Sequence, residues 1–215
     1  MNRRLEELAR EEYIATHSSP ESDLLAKISR EAHLTLTHPR MVSGHIQGLF
    51  LQMIVELMKP QKVLEIGTFV GYATIALATA LSKGATLTTI EVNDELRSRI
   101  LDHLQQAGVA ERVELIIGDA LEELSKLPLE EYQLVYLDAN KAQYPEYYQL
   151  LSSRLPKGAL ILADNTLWGE KVWHDQFHDP QTVGIRKFNR LVAEDRKVSK
   201  VILPMRDGLT MIMIK

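Results

Sequence analysis

Apolar residues follow two rhythms along the chain, and the change comes at about Lys62. Before it the spacing is helical. Leu5, Leu8, Ala9 and Tyr13 recur three and four apart, and a second helix start is expected at Ser19-Pro20-Glu21. Ile46, Leu49, Phe50, Met53, Ile54 and Leu57 mark a third helix from about Gly44 to Met58, which stops before Pro60. After Lys62 come five short apolar runs, KVLEIG, ATLTTIEV, RVELIIGD, QLVYLDA and GALILADN, bounded by Gly, Asp or Asn and separated by helical stretches. Each run is nearly continuous in Val, Ile and Leu, as parallel strands are when helices cover both faces of their sheet. The pattern predicts an α/β fold with a doubly wound sheet.

A polar stretch from Thr166 to Thr182 precedes a helix around Ile185 to Ala193 and two final runs, KVILPM and TMIMIK, joined by Arg206-Asp207-Gly208-Leu209. So short a connection permits only an antiparallel hairpin, with Met211 and Met213 as its core. Five parallel strands and this C-terminal hairpin make a mostly parallel seven-stranded sheet behind extra N-terminal helices. No repeat, low-complexity tract or linker divides the chain. A single domain is therefore expected over residues 1–215, with helices to residue 60 and the binding core from 61.

Composition narrows the function classes. A net charge of −4 with both signs interspersed gives no electrostatic footprint for nucleic acid or an anionic membrane, so a small-molecule partner is expected. The absence of cysteine removes disulfides, thiolate zinc sites and thiol nucleophiles, and leaves oxygen or imidazole as metal donors. The N-terminal MNRRLEELAREEYI lacks the apolar stretch of a signal peptide, and no apolar run is read as approaching the roughly 20 residues that span a bilayer. A cytoplasmic protein is the expectation.

In open α/β sheets ligands bind beyond the carboxyl ends of the strands, so the polar residues closing each run carry the candidate chemistry. The first run ends Glu65-Ile66-Gly67-Thr68-Phe69-Val70-Gly71-Tyr72, where two glycines four apart make either a plain tight turn or a place for close backbone approach. A dinucleotide fingerprint would need a third glycine. The second run ends at Glu91, some 20 residues on, as a solvated strand end or as an acceptor for ribose hydroxyls. The third ends in Gly118-Asp119-Ala120, where the carboxylate serves as a helix cap, an acceptor for an adenine amino group, or both. The fourth and fifth end in Asp138-Ala139-Asn140-Lys141 and Asp164-Asn165. Two carboxylates and an amide there are either caps and turns or an all-oxygen set suited to magnesium, calcium or manganese. His174 and His178 stand four apart but read as a solvated loop pair, and Trp168 reads as core or as an apolar wall for an aromatic ligand.

The ordered set VLEIGTFVGYATIALATAL, TIEV, GDA, LDANK and LADNTLWGEKV resembles the cation-dependent O-methyltransferases related to catechol and caffeoyl-coenzyme A methyltransferases, from about Arg40 to the C-terminus. The resemblance implies a Rossmann-like class I methyltransferase that uses S-adenosylmethionine and a divalent cation (magnesium, manganese or calcium). It would methylate a hydroxyl of a catechol-like or other vicinal-diol molecule, and act as a homodimer. By the same resemblance Ser43 approaches the methionine end of the cofactor, Glu65, Gly67 and Tyr72 line its pocket, Glu91 holds the ribose, and Asp119 and Ala120 contact the adenine. Asp138, Asp164 and Asn165 match the metal ligands, with Asp138 also facing the cofactor, and Lys141 matches the catalytic lysine. Asn140 departs from the family, many of whose members carry an acid there. Three rivals remain in view: a nicotinamide-dependent oxidoreductase, a metal-independent methyltransferase and a cofactor-binding regulator without turnover.

Overall fold

In a computed structural model that describes residues 3–215, the chain opens with α1 (Arg3–Thr16), α2 (Asp23–Thr35), a 3-10 turn at Pro39–Met41 and α3 (His45–Met58). The second helix starts later than Ser19-Pro20-Glu21 because Ser22 is its cap. The Ser22 hydroxyl accepts the Leu25 N–H at 3.3 Å, satisfying a donor that the first helical turn leaves unpaired. One stretch here corrects the expectation that no apolar run is long enough for a bilayer: Pro39–Met58 reaches 20 residues at a mean hydropathy of 1.2. It is not one continuous α-helix, however. The chain is non-helical between Met41 and His45, and the 14 residues of α3 extend only about 21 Å at 1.5 Å per residue, short of the ~30 Å hydrocarbon layer. Leu51 and Val55 on α3 are wholly buried in the core beneath it.

The alternating region follows: β1 (Lys62–Ile66), α4 (Tyr72–Thr79), β2 (Thr86–Glu91), α5 (Arg97–Gln106), β3 (Val113–Ile117), α6 (Ala120–Lys126), β4 (Leu134–Leu137), α7 (Tyr144–Arg154), β5 (Leu160–Ala163), α8 (Pro180–Glu194), β6 (Val198–Leu203) and β7 (Leu209–Ile214). The sheet order is β3-β2-β1-β4-β5-β7-β6, with β1 to β5 parallel and β7 antiparallel to both neighbours. The seven strands, the parallel core and the closing hairpin agree with the pattern in the sequence. Two boundaries move. α8 begins about five residues earlier than its apolar residues indicate, because Asp179 caps the Thr182 N–H at 3.0 Å and Pro180 occupies the first turn. In the hairpin, the period of two turns Ile212 to one face, where it is wholly buried, and Met211 and Met213 to the other, where Met211 is partly buried but Met213 is exposed and so is not core.

Strand residues divide between two cores by the same period. Val63, Leu87, Leu134, Tyr136 and Leu162 join residues of α2, α3, α4 and α5, while Leu64, Ile66, Ile90, Val135 and Leu137 join residues of α6, α7 and α8. Burial on both faces explains why these strands read as unbroken apolar runs. It also makes the exceptions informative: Thr89, Glu65 and Tyr136 are cross-strand neighbours in register, one polar row inside the first core.

On the other face, α8 presses against the 3-10 turn Lys141–Gln143 through Gly184. A Cβ at this position would overlap the Lys141 carbonyl and lie 2.7 Å from the Ala142 Cα, so the helix can approach this closely only with no side chain there. Gly184→Ala is expected to destabilise the fold by about 1–3 kcal/mol, the usual range for overpacking. The midpoint of reversible denaturant unfolding checks this, and a stability equal to the parent would show that the helix can move aside freely.

Candidate active site

The strand order reverses between β1 and β4, and the crevice beyond their carboxyl ends opens into a cavity of about 950 Å³. Gly67 ends β1 at φ 98°, a conformation that L side chains rarely adopt, and a Cβ on it would lie 2.7 Å from the Asp138 carbonyl carbon. The glycine is thus required for β1 and β4 to end side by side, and close approach is the correct reading of this turn. The next strand end supplies Glu91, whose Oε2 accepts the Phe69 N–H at 2.7 Å and whose Oε1 accepts the Asn93 N–H at 2.9 Å. Two backbone donors thereby fix the carboxylate on the cavity wall with its remaining lone pairs free to accept from a ligand. Asp119 caps α6 through the Leu121 and Glu122 N–H groups, at 2.9 and 3.2 Å, and with Ala120 it also lines the cavity. Cap and wall coexist. Ser43 and Tyr72 close this side, with the Tyr72 hydroxyl donating to Glu21.

The opposite wall is built from the ends of β4 and β5. Asp138, Lys141, Asp164 and Asn165 all line the cavity, and Lys141 and Asp164 are almost wholly buried. Lys141 Nζ donates to Asp138 Oδ1 at 2.5 Å and to the Tyr144 hydroxyl at 2.8 Å. The single proton of Tyr144 is shared between the Leu137 and Asp164 carbonyls, each at 3.0 Å, so the phenol ties both strand ends to the lysine. Asp164 Oδ1 accepts the Asn165 N–H at 2.8 Å, and Oδ2 accepts the Tyr136 hydroxyl at 3.2 Å. Burial pushes the Asp164 carboxyl up to about 6, the charge of Asp138 adds to this, and Lys141 opposes it. Asn165 holds φ 57°, an uncommon left-handed conformation for a residue that is not glycine. Asn140 caps the Lys141 turn through the Ala142 N–H at 3.2 Å while lining the cavity.

Of the expected site residues, Glu65 alone is not on the cavity wall. Its side chain lies wholly buried beneath it, where Oε2 accepts the Thr74 and Thr89 hydroxyls at 2.5 and 2.6 Å and Oε1 has no partner among the described residues. Burial pushes its carboxyl up to about 8, and the charges of Asp138 and Glu91 act in the same direction. His174 and His178 are exposed loop residues, and among the described residues no three His, Asp or Glu side chains cluster as metal donors. Trp168 lines the cavity and also packs against the second core. Tyr136, Arg206 and Asp207 are wall residues that the sequence reading passed over. The signal for Tyr136 was a hydroxyl inside an otherwise apolar run, two residues before Asp138.

A family model described as O-methyltransferase matches residues 15–215. A catechol O-methyltransferase of Niastella koreensis is 32% identical over 177 residues, covering 79% of this chain and 80% of its own length. The O-methyltransferase TomG from Streptomyces achromogenes, involved in tomaymycin synthesis and solved in complex with SAM, aligns at a TM-score of 0.88 with 29% identity and 96% of each chain covered. An O-methyltransferase from Bacillus cereus, solved with SAH, gives the same TM-score at 28% identity, with 96% of this chain and 97% of that one covered.

The buried Glu65 has a consequence for stability. Unfolded, a glutamate releases its proton near the ordinary 4.5; folded, Glu65 keeps it up to about 8. Between these values the folded state binds more protons, so stability falls as pH rises through the window and levels off above it. Asp164 contributes with the same sign only up to about 6. Glu65→Gln should therefore flatten the decline between pH 6 and 8 in urea unfolding of the ligand-free protein. A decline as steep as the parent's would mean that Glu65 is not its source.

Proposed function

The chain belongs to the O-methyltransferase family and is an S-adenosylmethionine-dependent enzyme of the catechol and caffeoyl-coenzyme A type, and from that premise we propose that it methylates a hydroxyl of a catechol-like or other vicinal-diol molecule held by a divalent cation. The observation that carries this reading is the convergence of Asp138, Lys141, Asp164 and Asn165 on one wall of a cavity whose opposite wall presents Glu91 and Asp119. Family membership disposes of the nicotinamide rival. The metal-independent and non-catalytic readings differ from ours in what the acidic wall does.

Two carboxylates and one amide, all oxygen donors, fit a hard cation such as magnesium or manganese, which binds through one or two carboxylates and keeps positions for other ligands. Asp138, Asp164 and Asn165 would hold it. When bound, S-adenosylmethionine supplies a methyl group whose bonding pair returns to sulfur on transfer, and the cation supplies Lewis-acid polarisation of the acceptor hydroxyl. Glu91 would orient the cofactor by accepting from its ribose, Asp119 and Ala120 would lie at the adenine, and Gly67, Tyr72 and Ser43 would shape the rest of that pocket. Asp138 stands where the two halves meet. Lys141 takes the proton of the reacting hydroxyl onto Nζ, with Asp138 and Tyr144 holding the amine in place. Trp168 forms a flat apolar wall suited to an aromatic acceptor. Holding nucleophile and methyl in near-attack contact can supply roughly 7–11 kcal/mol of the barrier. A homodimer belongs to the same proposal, supported by exposed Leu5, Leu8 and Tyr13 on α1 and Met53 and Leu57 on α3, apolar surface that a second copy would cover.

The two halves of the site should separate in a paired experiment. Glu91→Ala should weaken S-adenosylhomocysteine binding at least about tenfold in calorimetry, since hydrogen bonds to a charged group contribute about 1.5–3 kcal/mol each. Asp164→Ala should leave that binding largely intact yet abolish methyl transfer, as should a chelator, with magnesium or manganese restoring the parent enzyme. Full activity in chelator would sink the cation reading.

Lys141→Met tests the base. General-base assistance is typically worth about 10²–10⁴-fold, so turnover of a plain catechol should fall by that order. A nitrocatechol, already ionised at neutral pH, should suffer a much smaller penalty. Equal losses on both acceptors would show that Lys141 does not act as the base.

A further inference from the structure

A hydrogen-bonded chain runs from the hairpin turn to Asp164, and its direction is set at both ends. The Arg206 guanidinium can only donate, and it donates to Gln47 Oε1 at 3.2 Å and to the Ser43 carbonyl. Gln47 on α3 therefore presents its amide nitrogen the other way, where Nε2 donates to the Tyr136 hydroxyl at 2.8 Å. At the far end an ionised Asp164 can only accept. The Tyr136 proton thus points at Asp164 Oδ2, 3.2 Å away, and Ser43 Oγ, 3.3 Å from the same phenol, is left to donate to it. Gln47, Tyr136 and Asp164 are each at most 2% exposed, so bulk water does not compete for these bonds.

We propose that Tyr136, oriented by Gln47 and Arg206, is a positioning residue that holds the Asp164 carboxylate in the orientation needed to bind a divalent cation. The inference rests on the cation reading of Asp164 given above. Without the phenol, Asp164 keeps one short anchor, the N–H of its own chain neighbour on Oδ1, with the Gln47 amide as a weaker contact, and the carboxylate is held less firmly about its last bond. The phenol's anchor, on Oδ2, tightens that hold and leaves each oxygen a further lone pair. Phenylalanine would fill the same space in the LVYL strand. A buried hydroxyl is unfavourable unless it is bonded, and the bonds that Tyr136 makes all lead to this network.

The test titrates manganese(II) into the protein with S-adenosylhomocysteine present and reads the free ion by electron paramagnetic resonance. Removing a partner that orients a metal ligand typically costs about 10–100-fold in metal affinity, and Tyr136→Phe should fall in that range. Gln47→Met should also weaken manganese binding in the Tyr136 protein but have a smaller effect in the Tyr136→Phe background, because its effect passes mainly through the phenol. Should the Phe variant not fold, Gln47→Met alone must weaken the binding. No manganese bound by the unaltered protein would overturn the cation reading and this inference together. Equal affinity in the unaltered and Tyr136→Phe proteins would overturn this inference and leave the cation reading standing, and a Gln47→Met effect of the same size in both backgrounds would do so too.

Discussion

Four carboxyl groups, Glu65, Glu91, Asp138 and Asp164, are gathered at the ends of the central strands, and accommodating so many acidic groups side by side with little water is the constraint around which the site is built. Burial penalises Glu65 and Asp164 as anions, and the charges of the neighbouring carboxylates add to that penalty. The structure answers with a different device at each position. Glu91 receives two backbone N–H groups, Asp138 receives an N–H of Lys141 Nζ, and Asp164 receives one backbone N–H and one phenol. Glu65 receives two threonine hydroxyls and, with its carboxyl pushed up to about 8, keeps its proton at neutral pH.

These devices work only because the backbone ends of β1, β4 and β5 lie close together. Two glycines without sequence proximity make that possible. Gly67 lets β1 end against the Asp138 backbone, and Gly184 lets α8 press on the turn that carries Lys141. Tyr144 then ties β4, β5 and the lysine through one phenol. The acidic wall is accordingly held from both faces of the sheet: by α7 and α8 on one side, and by α3 and the hairpin turn, through Gln47 and Arg206, on the other.

Much of this was legible in the sequence. The strands announce themselves because a parallel strand buried on both faces has no polar face to show, and the polar residue that ends each apolar run is the one the topology delivers to the crevice. Glu91, Asp119, Asp138, Asp164 and Asn165 are therefore found by position alone. Helix boundaries were less legible. Ser19 and Ser22 are equally good caps as residue types, and only the hydroxyl that meets a free N–H decides; Asp179-Pro180 likewise starts α8 before its apolar stripe begins.

The order of elements, the doubly wound sheet and the set of strand-end residues follow from local periodicity and from the chemistry of single residues, so the chain alone dictates them. Which of those residues reach the cavity, and what holds them there, is set by the packed fold. Glu65 carries the same motif signature as Gly67, yet its side chain lies beneath the wall because its place in the strand turns it toward Thr74 and Thr89 in the first core. Gln47, Tyr136 and Arg206 belong to a helix, a strand and a turn far apart in the chain. A hydrogen bond requires its partners to meet within about 3 Å, and that proximity is a property of the packed fold that no spacing along the sequence encodes.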